Sequence, residues 1–254
     1  MTPAQNNTTG QGKIQTLKMP CKLLKGILER EYSIYLPDSY DTNKLKNYPV
    51  LFLMHGGGGS NTDWEKIHHI SEVANCLISN GNIDEMVIIC AEGNQQNMMY
   101  FNAERDNNGT PDWKYEDYFF NEFIPYIEKT YRVRTDKGGR AIGGFSMGGG
   151  AATVYGVHHP ECFCMVYDIS GYLRRQPLSF LKNDPSAAWK KIDWKIAVGD
   201  KDFTLEANMD MMKAFREKGV PCSMYVNDGA HDAKWVNSVL EDVLKHANKK
   251  FKSL

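Results

Sequence analysis

Nowhere in this chain do eighteen apolar residues run together, so the sequence offers no membrane-spanning helix. It carries almost no excess of one charge: 30 Lys and Arg stand against 31 Asp and Glu, a formal net charge of −1. No basic block is present either, which argues against nucleic acid as a partner. The six cysteines, at 21, 76, 90, 162, 164 and 222, include no C-x-x-C pair. Cys162 and Cys164 lack the spacing of a common zinc site, and the adjacent His68 and His69 do not make H-E-x-x-H. Free thiols are expected, and neither a metal nor a cofactor. Residues 1–12 lack a basic start followed by an apolar core, so they read as a disordered lead-in and not as a signal peptide. A secreted or periplasmic location would fit a chain trimmed of its leader, and a cytoplasmic one would fit otherwise. No linker and no internal repeat divides residues 13–254, which read as one domain.

What the chain does contain is an alternation of strand and helix patterns. Residues 50–54, 86–91, 141–145, 163–169, 194–198 and 221–226 are short apolar runs of the kind expected for buried parallel strands. Residues 14–17 and 25–36 should add early strands. Between and after them, helices are predicted over 64–79, 116–131 (with Pro125 placed to bend it), 149–157, 205–218 and 232–247. The fold class that follows is α/β, with a mostly parallel central sheet of about eight strands and helices on both faces. Residues 92–113 form the longest stretch without a period, and residues 170–183 are also irregular. Both suit walls of a cleft better than core.

The motif around which the rest is arranged is Gly144-Phe145-Ser146-Met147-Gly148, a G-x-S-x-G. A serine on a tight strand-to-helix turn projects its hydroxyl above the sheet edge, and the flanking glycines remove colliding side chains. A second glycine run, His55-Gly-Gly-Gly-Gly-Ser60, follows the strand at 50–54. In an α/β-hydrolase such a loop supplies one oxyanion N–H and the residue after the nucleophile supplies the other, which points to Gly57 and Met147. No G-K-[ST] follows, which disfavours a phosphate loop. His55 suits loop fixation better than general base work. A serine needs a base and an acid, in the order Ser, acid, His. His231, in Gly229-Ala-His-Asp232 ahead of the terminal helix, is the natural base. Asp202 is the preferred acid, since a loop continuing past Gly199 must carry it; Asp200 and Asp168 stay open.

With these residues in place, the chain resembles the esterase D-like α/β-hydrolases, particularly the feruloyl and acetylxylan esterases of carbohydrate esterase family 1. The resemblance rests on 53–60 with Asp63-Trp64, on 123–128, on 143–149, on Gly199-Asp-Lys-Asp202 and on 229–232. It implies an α/β-hydrolase fold, Ser146 as nucleophile, Asp202 as acid, His231 as base, Gly57 and Met147 as oxyanion donors, and no metal. It also implies a substrate such as a small ester or feruloylated oligosaccharide or xylan. S-formylglutathione hydrolases and mycolyltransferases share the same apparatus, so acetylxylan esterase or S-formylglutathione hydrolase-like activity are the alternatives. A non-catalytic carbohydrate-binding protein is the alternative of another class. The feruloyl reading leans on amides, Met and aromatics in 92–113. The candidates for substrate contact are Trp64, Asn94, Met98, Met99, Tyr100, Tyr172 and Trp235.

Overall fold

The computed structural model describes residues 11–93, 100–105, 111–172 and 188–254. Among them eight strands make one sheet. Their order is β1 (Lys13–Pro20), β2 (Glu29–Leu36), β4 (Val87–Ala91), β3 (Val50–Met54), β7 (Arg140–Phe145), β8 (Met165–Ile169), β9 (Asp193–Gly199) and β10 (Cys222–Asn227). β2 is antiparallel to both β1 and β4. Every other neighbouring pair is parallel. The parallel strands therefore all end on one edge, and the loops that follow β3, β7, β8, β9 and β10 meet there.

The run Val50–Met54 is apolar throughout because both of its faces are covered. Val50, Phe52 and Met54 enter one core, Leu51 and Leu53 the other. The second core is closed by Ala74 and Leu77 of α2 (Ile70–Ser79) and by Val236, Leu240 and Leu244 of α7 (Ala233–Lys252). The first is closed by Ala151 and Tyr155 of α5 (Met147–His158) and by Met211 and Phe215 of α6 (Leu205–Glu217). Full burial of an aliphatic or aromatic side chain of this size contributes about 1.5–3 kcal/mol, so the two cores hold the sheet edge rigid.

The structure departs from the predicted elements in three places. The helix expected over 64–79 is broken into α1 (Asp63–Lys66) and α2, and His69 takes a φ of 51° between them. The break lets Trp64 and His68 both turn inward, with His68 Nδ1 2.7 Å from Asn237 Oδ1 on α7. The helix expected over 116–131 runs from α3 (Tyr115–Tyr118) through a wide π turn at Phe119–Phe123 into α4 (Ile124–Thr130). Pro125 accounts for it: it has no N–H for the preceding turn, and its ring needs the extra room. Within 92–113, where no periodic structure is predicted, β5 (Asn102–Arg105) pairs antiparallel with β6 (Pro111–Lys114).

No helix among the described residues is long and apolar enough to cross a membrane. All six cysteines are free. Burial pushes the Cys90 thiol far up and that of Cys164 to about 11, which makes both poor nucleophiles at neutral pH.

Candidate active site

The turn after β7 is the tightest feature of the sheet edge. Ser146 sits there at φ 54° and ψ −116°. For a residue with a Cβ this is sparsely populated backbone, costing on the order of 1–3 kcal/mol. Three backbone hydrogen bonds hold it: Ser146 N–H donates to Ile169 O at 2.9 Å, and Ser146 O accepts from Tyr172 N–H at 2.7 Å and Gly150 N–H at 3.0 Å. Ser146 is also the N-cap of α5, whose first turn presents N–H groups with no partner inside the helix.

Two later strand ends bring the partners. His231 lies in the loop between β10 and α7, and the Asp232 carboxylate caps α7 by accepting Trp235 N–H at 2.8 Å. The imidazole stands between the Phe145 ring at 4.7 Å and the Phe203 ring at 4.4 Å. Its Nε2 is 2.8 Å from Ser146 Oγ, and its Nδ1 is 2.8 Å from Asp202 Oδ2 and 2.9 Å from Oδ1. An Nδ1–H facing the carboxylate leaves the Nε2 lone pair for the serine proton, the protonation state a general base needs. Burial alone would raise the Asp202 carboxyl. The Thr204 N–H, the Ser170 and Thr204 hydroxyls and His231 together outweigh it and hold it below the ordinary carboxylate range. Asp202 is thus held in its anionic form, the state in which it accepts an Nδ1–H from the imidazole.

The other two aspartates do not join this array. Asp200 accepts Gly229 N–H at 3.1 Å on the surface. Asp168 is sealed behind the elbow, where it accepts the Thr153 hydroxyl at 2.8 Å. Desolvation lifts it to about 7, against the Thr153 and Gly171 hydrogen bonds, and the Asp202 charge adds to the rise.

The loop after β3 approaches Ser146 from the other side. A Cβ on Gly56 would lie 3.5 Å from Ser146 Cβ. His55 fixes this loop: its Nδ1–H donates to Gly56 O at 2.8 Å, and its Nε2 accepts Gly93 N–H at 2.9 Å. Both ring nitrogens are used, so His55 has no nitrogen left for base work. Met147 directly follows the serine as the first residue of α5, and Gly57 follows Gly56 in the loop after β3. A cavity of about 210 Å³ opens beside the loop after β3, lined by Gly57, Gly58, Trp64, His68, Phe145 and Ala233, among others.

The substrate candidates fall into three groups. Asn94, Met98 and Met99 lie outside the described residues. Tyr100 and Trp235 are buried; Tyr100 OH donates to His55 O at 3.3 Å, and Trp235 Nε1–H donates to Ser170 Oγ at 2.9 Å. Trp64 is also nearly covered but borders the cavity. Tyr172 is 45% exposed and meets Phe203, 68% exposed, edge-on at 6.2 Å. Phe203 is absent from the candidates read in the sequence. Its signal was there: a lone aromatic directly after the candidate acid, ahead of the helix pattern. Among the described residues no three His, Cys, Asp or Glu side chains converge to hold a metal ion.

A serine on a strand–turn–helix junction, with His and Asp from later strand ends of a mostly parallel sheet, defines the α/β-hydrolase class. The model of the Esterase family matches residues 28–249, and the chain belongs to that family. It is 30% identical over 139 residues to the endo-1,4-beta-xylanase/feruloyl esterase of Xylanibacter ruminicola, a match covering 52% of this chain and 18% of that protein. The chain thus matches about a fifth of the length of that curated relative. A solved ferulic acid esterase is 34% identical, with a TM-score of 0.86 and coverage of 94% of this chain and 99% of that one. An S-formylglutathione hydrolase from Agrobacterium tumefaciens, 17% identical with a TM-score of 0.73 over 99% and 100% of the two chains, shares the fold.

Proposed function

We propose that this chain is a serine carboxylic-ester hydrolase that releases ferulate or related hydroxycinnamates from plant cell-wall polysaccharide esters. The observation that carries the substrate class is the 34% identity to a ferulic acid esterase along nearly the whole of both chains. The Ser146–His231–Asp202 contacts support the reaction type. In this reading Ser146 Oγ attacks the ester carbonyl while His231 Nε2 takes its proton. The carbonyl oxygen becomes an oxyanion that accepts the N–H groups of Gly57 and Met147, a stabilisation that grows only toward the transition state. Collapse expels the sugar alkoxide, which leaves as the alcohol with the proton from His231. Water, deprotonated by the same imidazole, then attacks the acyl-Ser146 carbonyl; as the acyl–Oγ bond breaks, His231 returns that proton to Ser146 Oγ and the carboxylic acid is released. Asp202 stays ionised and holds the imidazole tautomer throughout. Tyr172 and Phe203 are the described aromatics that could meet a planar ring beside His231.

The test is a panel of methyl ferulate, acetylated xylan and a short aliphatic ester, with Ser146→Ala as the control. Methyl ferulate should be turned over with the highest kcat/KM, and the variant should lose roughly 10⁴-fold or more. A preference for acetylated xylan would replace the acyl assignment. Turnover that survives in Ser146→Ala would sink the serine mechanism, and polysaccharide binding without turnover would favour a binding protein.

A further inference from the structure

Glu92 directly follows β4 and opens the stretch in which the sequence shows no period. Its main chain is fixed from two sides. The buried Arg30, on β2, donates to Glu92 O from Nε at 3.1 Å and from Nη2 at 2.8 Å. Tyr115 OH, on α3, donates to the same oxygen at 2.8 Å. The side chain reaches the loop after β3, where Glu92 Oε2 accepts Asn61 N–H at 2.9 Å. Asn61 is buried. With its amide oxygen turned to the Ser33 hydroxyl at 2.9 Å and the Ser33 N–H at 3.2 Å, its amide nitrogen donates a second bond to Oε2 at 2.8 Å. That orientation suits both neighbours, because a carboxylate accepts and a backbone N–H donates.

Asn61 closes the loop that His55 opens. Between them Gly59 N–H donates to Gly56 O at 3.2 Å and Gly58 takes a φ of 77°, a tight turn with Gly57 at its first corner. The turn's own bond uses the N–H of Gly59 and not that of Gly57. The opening end is tied to the same strand end as the closing one, since His55 Nε2 accepts Gly93 N–H at 2.9 Å. Glu92 Oε1 packs 3.5 Å from that nitrogen, a contact and not a hydrogen bond. Two consecutive residues after β4 therefore fasten both ends of the turn that carries Gly57.

We propose that Glu92 is a positioning residue for the oxyanion hole: its carboxylate anchors Asn61 and so fixes the turn that presents Gly57 N–H. The inference rests on the oxyanion role proposed above for Gly57. Glu92 has no need to touch the ester. What counts is reach, an acceptor oxygen at Asn61 N–H, and not the negative charge as such. Without that acceptor a buried N–H is left unpaired, and the loop relieves this by shifting toward water. An oxyanion bond depends steeply on where its donor stands, so a small shift of the turn slows the reaction without removing any group from the site.

The experiment compares the full chain as wild type, Glu92→Gln, Glu92→Asp and Glu92→Ala. Gln keeps an acceptor at full reach and loses the charge; Asp keeps the charge and is one methylene short. Two rates are read per folded molecule: turnover of methyl ferulate, and labelling of Ser146 by a fluorophosphonate, in which Oγ displaces fluoride and the phosphonyl oxygen takes the oxyanion's place. Acylation and deacylation both pass through an oxyanion, so kcat should fall while KM stays within about twofold. Glu92→Ala should lower kcat and the labelling rate alike by about 30-fold, short of the roughly 10²–10³-fold cost of deleting an oxyanion donor. Glu92→Asp should lose about tenfold, and Glu92→Gln should stay within about threefold of wild type. A fall in Tm with both rates unchanged would make Glu92 a structural residue only and overturns the proposal. So does an Asp variant faster than the Gln variant, and that order decides even if Glu92→Ala does not fold. A wild type that is labelled but leaves methyl ferulate intact sinks the feruloyl reading alone, and labelling then decides the role of Glu92. A wild type that is neither active nor labelled sinks the serine mechanism and this role with it.

Discussion

A methyl group added at Gly148, in the turn after β7, would have nowhere to go, whereas one added at Gly57, in the loop after β3, would meet open space. A Cβ on Gly148 would lie 2.2 Å from Met54 O and 2.7 Å from His55 O, both backbone atoms of β3 and its loop. A Cβ on Gly57 would have nothing within 4 Å. Glycine serves two purposes on one sheet edge. After β7 it allows two backbones to touch, which forces Ser146 to project. After β3 it leaves the backbone uncovered next to the serine, where a substrate oxygen would sit. The first is a packing requirement and belongs to folding; the second belongs to the proposed reaction.

Gly148→Ala should break the packed side, and it is the largest effect expected here. The methyl would push β3 and α5 apart at their closest approach, where no side chain can rotate away. We expect a loss on the order of 4 kcal/mol, read by calorimetry as a fall in Tm of roughly 10 °C, with turnover lost alongside. A Tm within a degree or two of wild type would mean that the turn after β7 has slack, and the contrast would dissolve.

The packed side also hides Asp168, and a second prediction follows from its burial. A Cβ on Gly149 would meet its Oδ1 at 2.7 Å, so the elbow closes directly over the carboxyl. In the folded chain burial lifts this group to about 7. In the unfolded chain it ionises near 4. Between pH 4 and 7 the folded state holds a proton that the unfolded state has lost, so this group removes stability as pH rises, and its effect levels off above 7. Asp202, held low, works in the opposite sense: its contribution is present above the unfolded value and is lost as pH falls through the folded one. Asp168→Asn should therefore gain on wild type by about 2–3 kcal/mol between pH 4.5 and 8 in urea unfolding. Parallel pH profiles for the two proteins would show that the carboxyl ionises in place without cost.

This contrast also explains which parts could be read from the sequence. Strands β3, β4, β7 and β9 are local apolar runs, and the elbow motif is five consecutive residues. Ser146, Asp202 and His231 each follow a strand, so strand order alone is enough to bring their loops together. The misses are contacts between distant residues. The break at 67–69 depends on Asn237 in α7, which comes 169 residues after His68. The bond from Trp235 to Ser170 spans 65 residues, and it turns a candidate pocket wall into a buried support. The β5–β6 ladder hides in polar residues because it lies outside the main sheet, where burial does not impose an apolar pattern. Nor can composition separate the two glycine runs. Only the neighbours of each missing Cβ do that.

The open side gives the smallest and most selective prediction. Gly57 has no positive φ and no neighbour to collide with, so alanine can take its place without strain. Fewer conformations in the unfolded chain should leave Gly57→Ala as stable as wild type, or more stable by about 0.4–1 kcal/mol. The N–H proposed for the oxyanion is kept. What changes is the space over the loop, which opens into the cavity shared with Gly58, Trp64 and His68. A methyl there should hinder an ester lying across the loop and lower kcat/KM by about tenfold, or about 1.4 kcal/mol. The decisive measurement pairs Tm with kcat/KM on methyl ferulate in one preparation. Falling turnover with an unchanged Tm would confine the role of this glycine to the site. A Tm loss approaching that of Gly148→Ala would mean that both turns are packing devices, and the oxyanion assignment of Gly57 would lose its structural support.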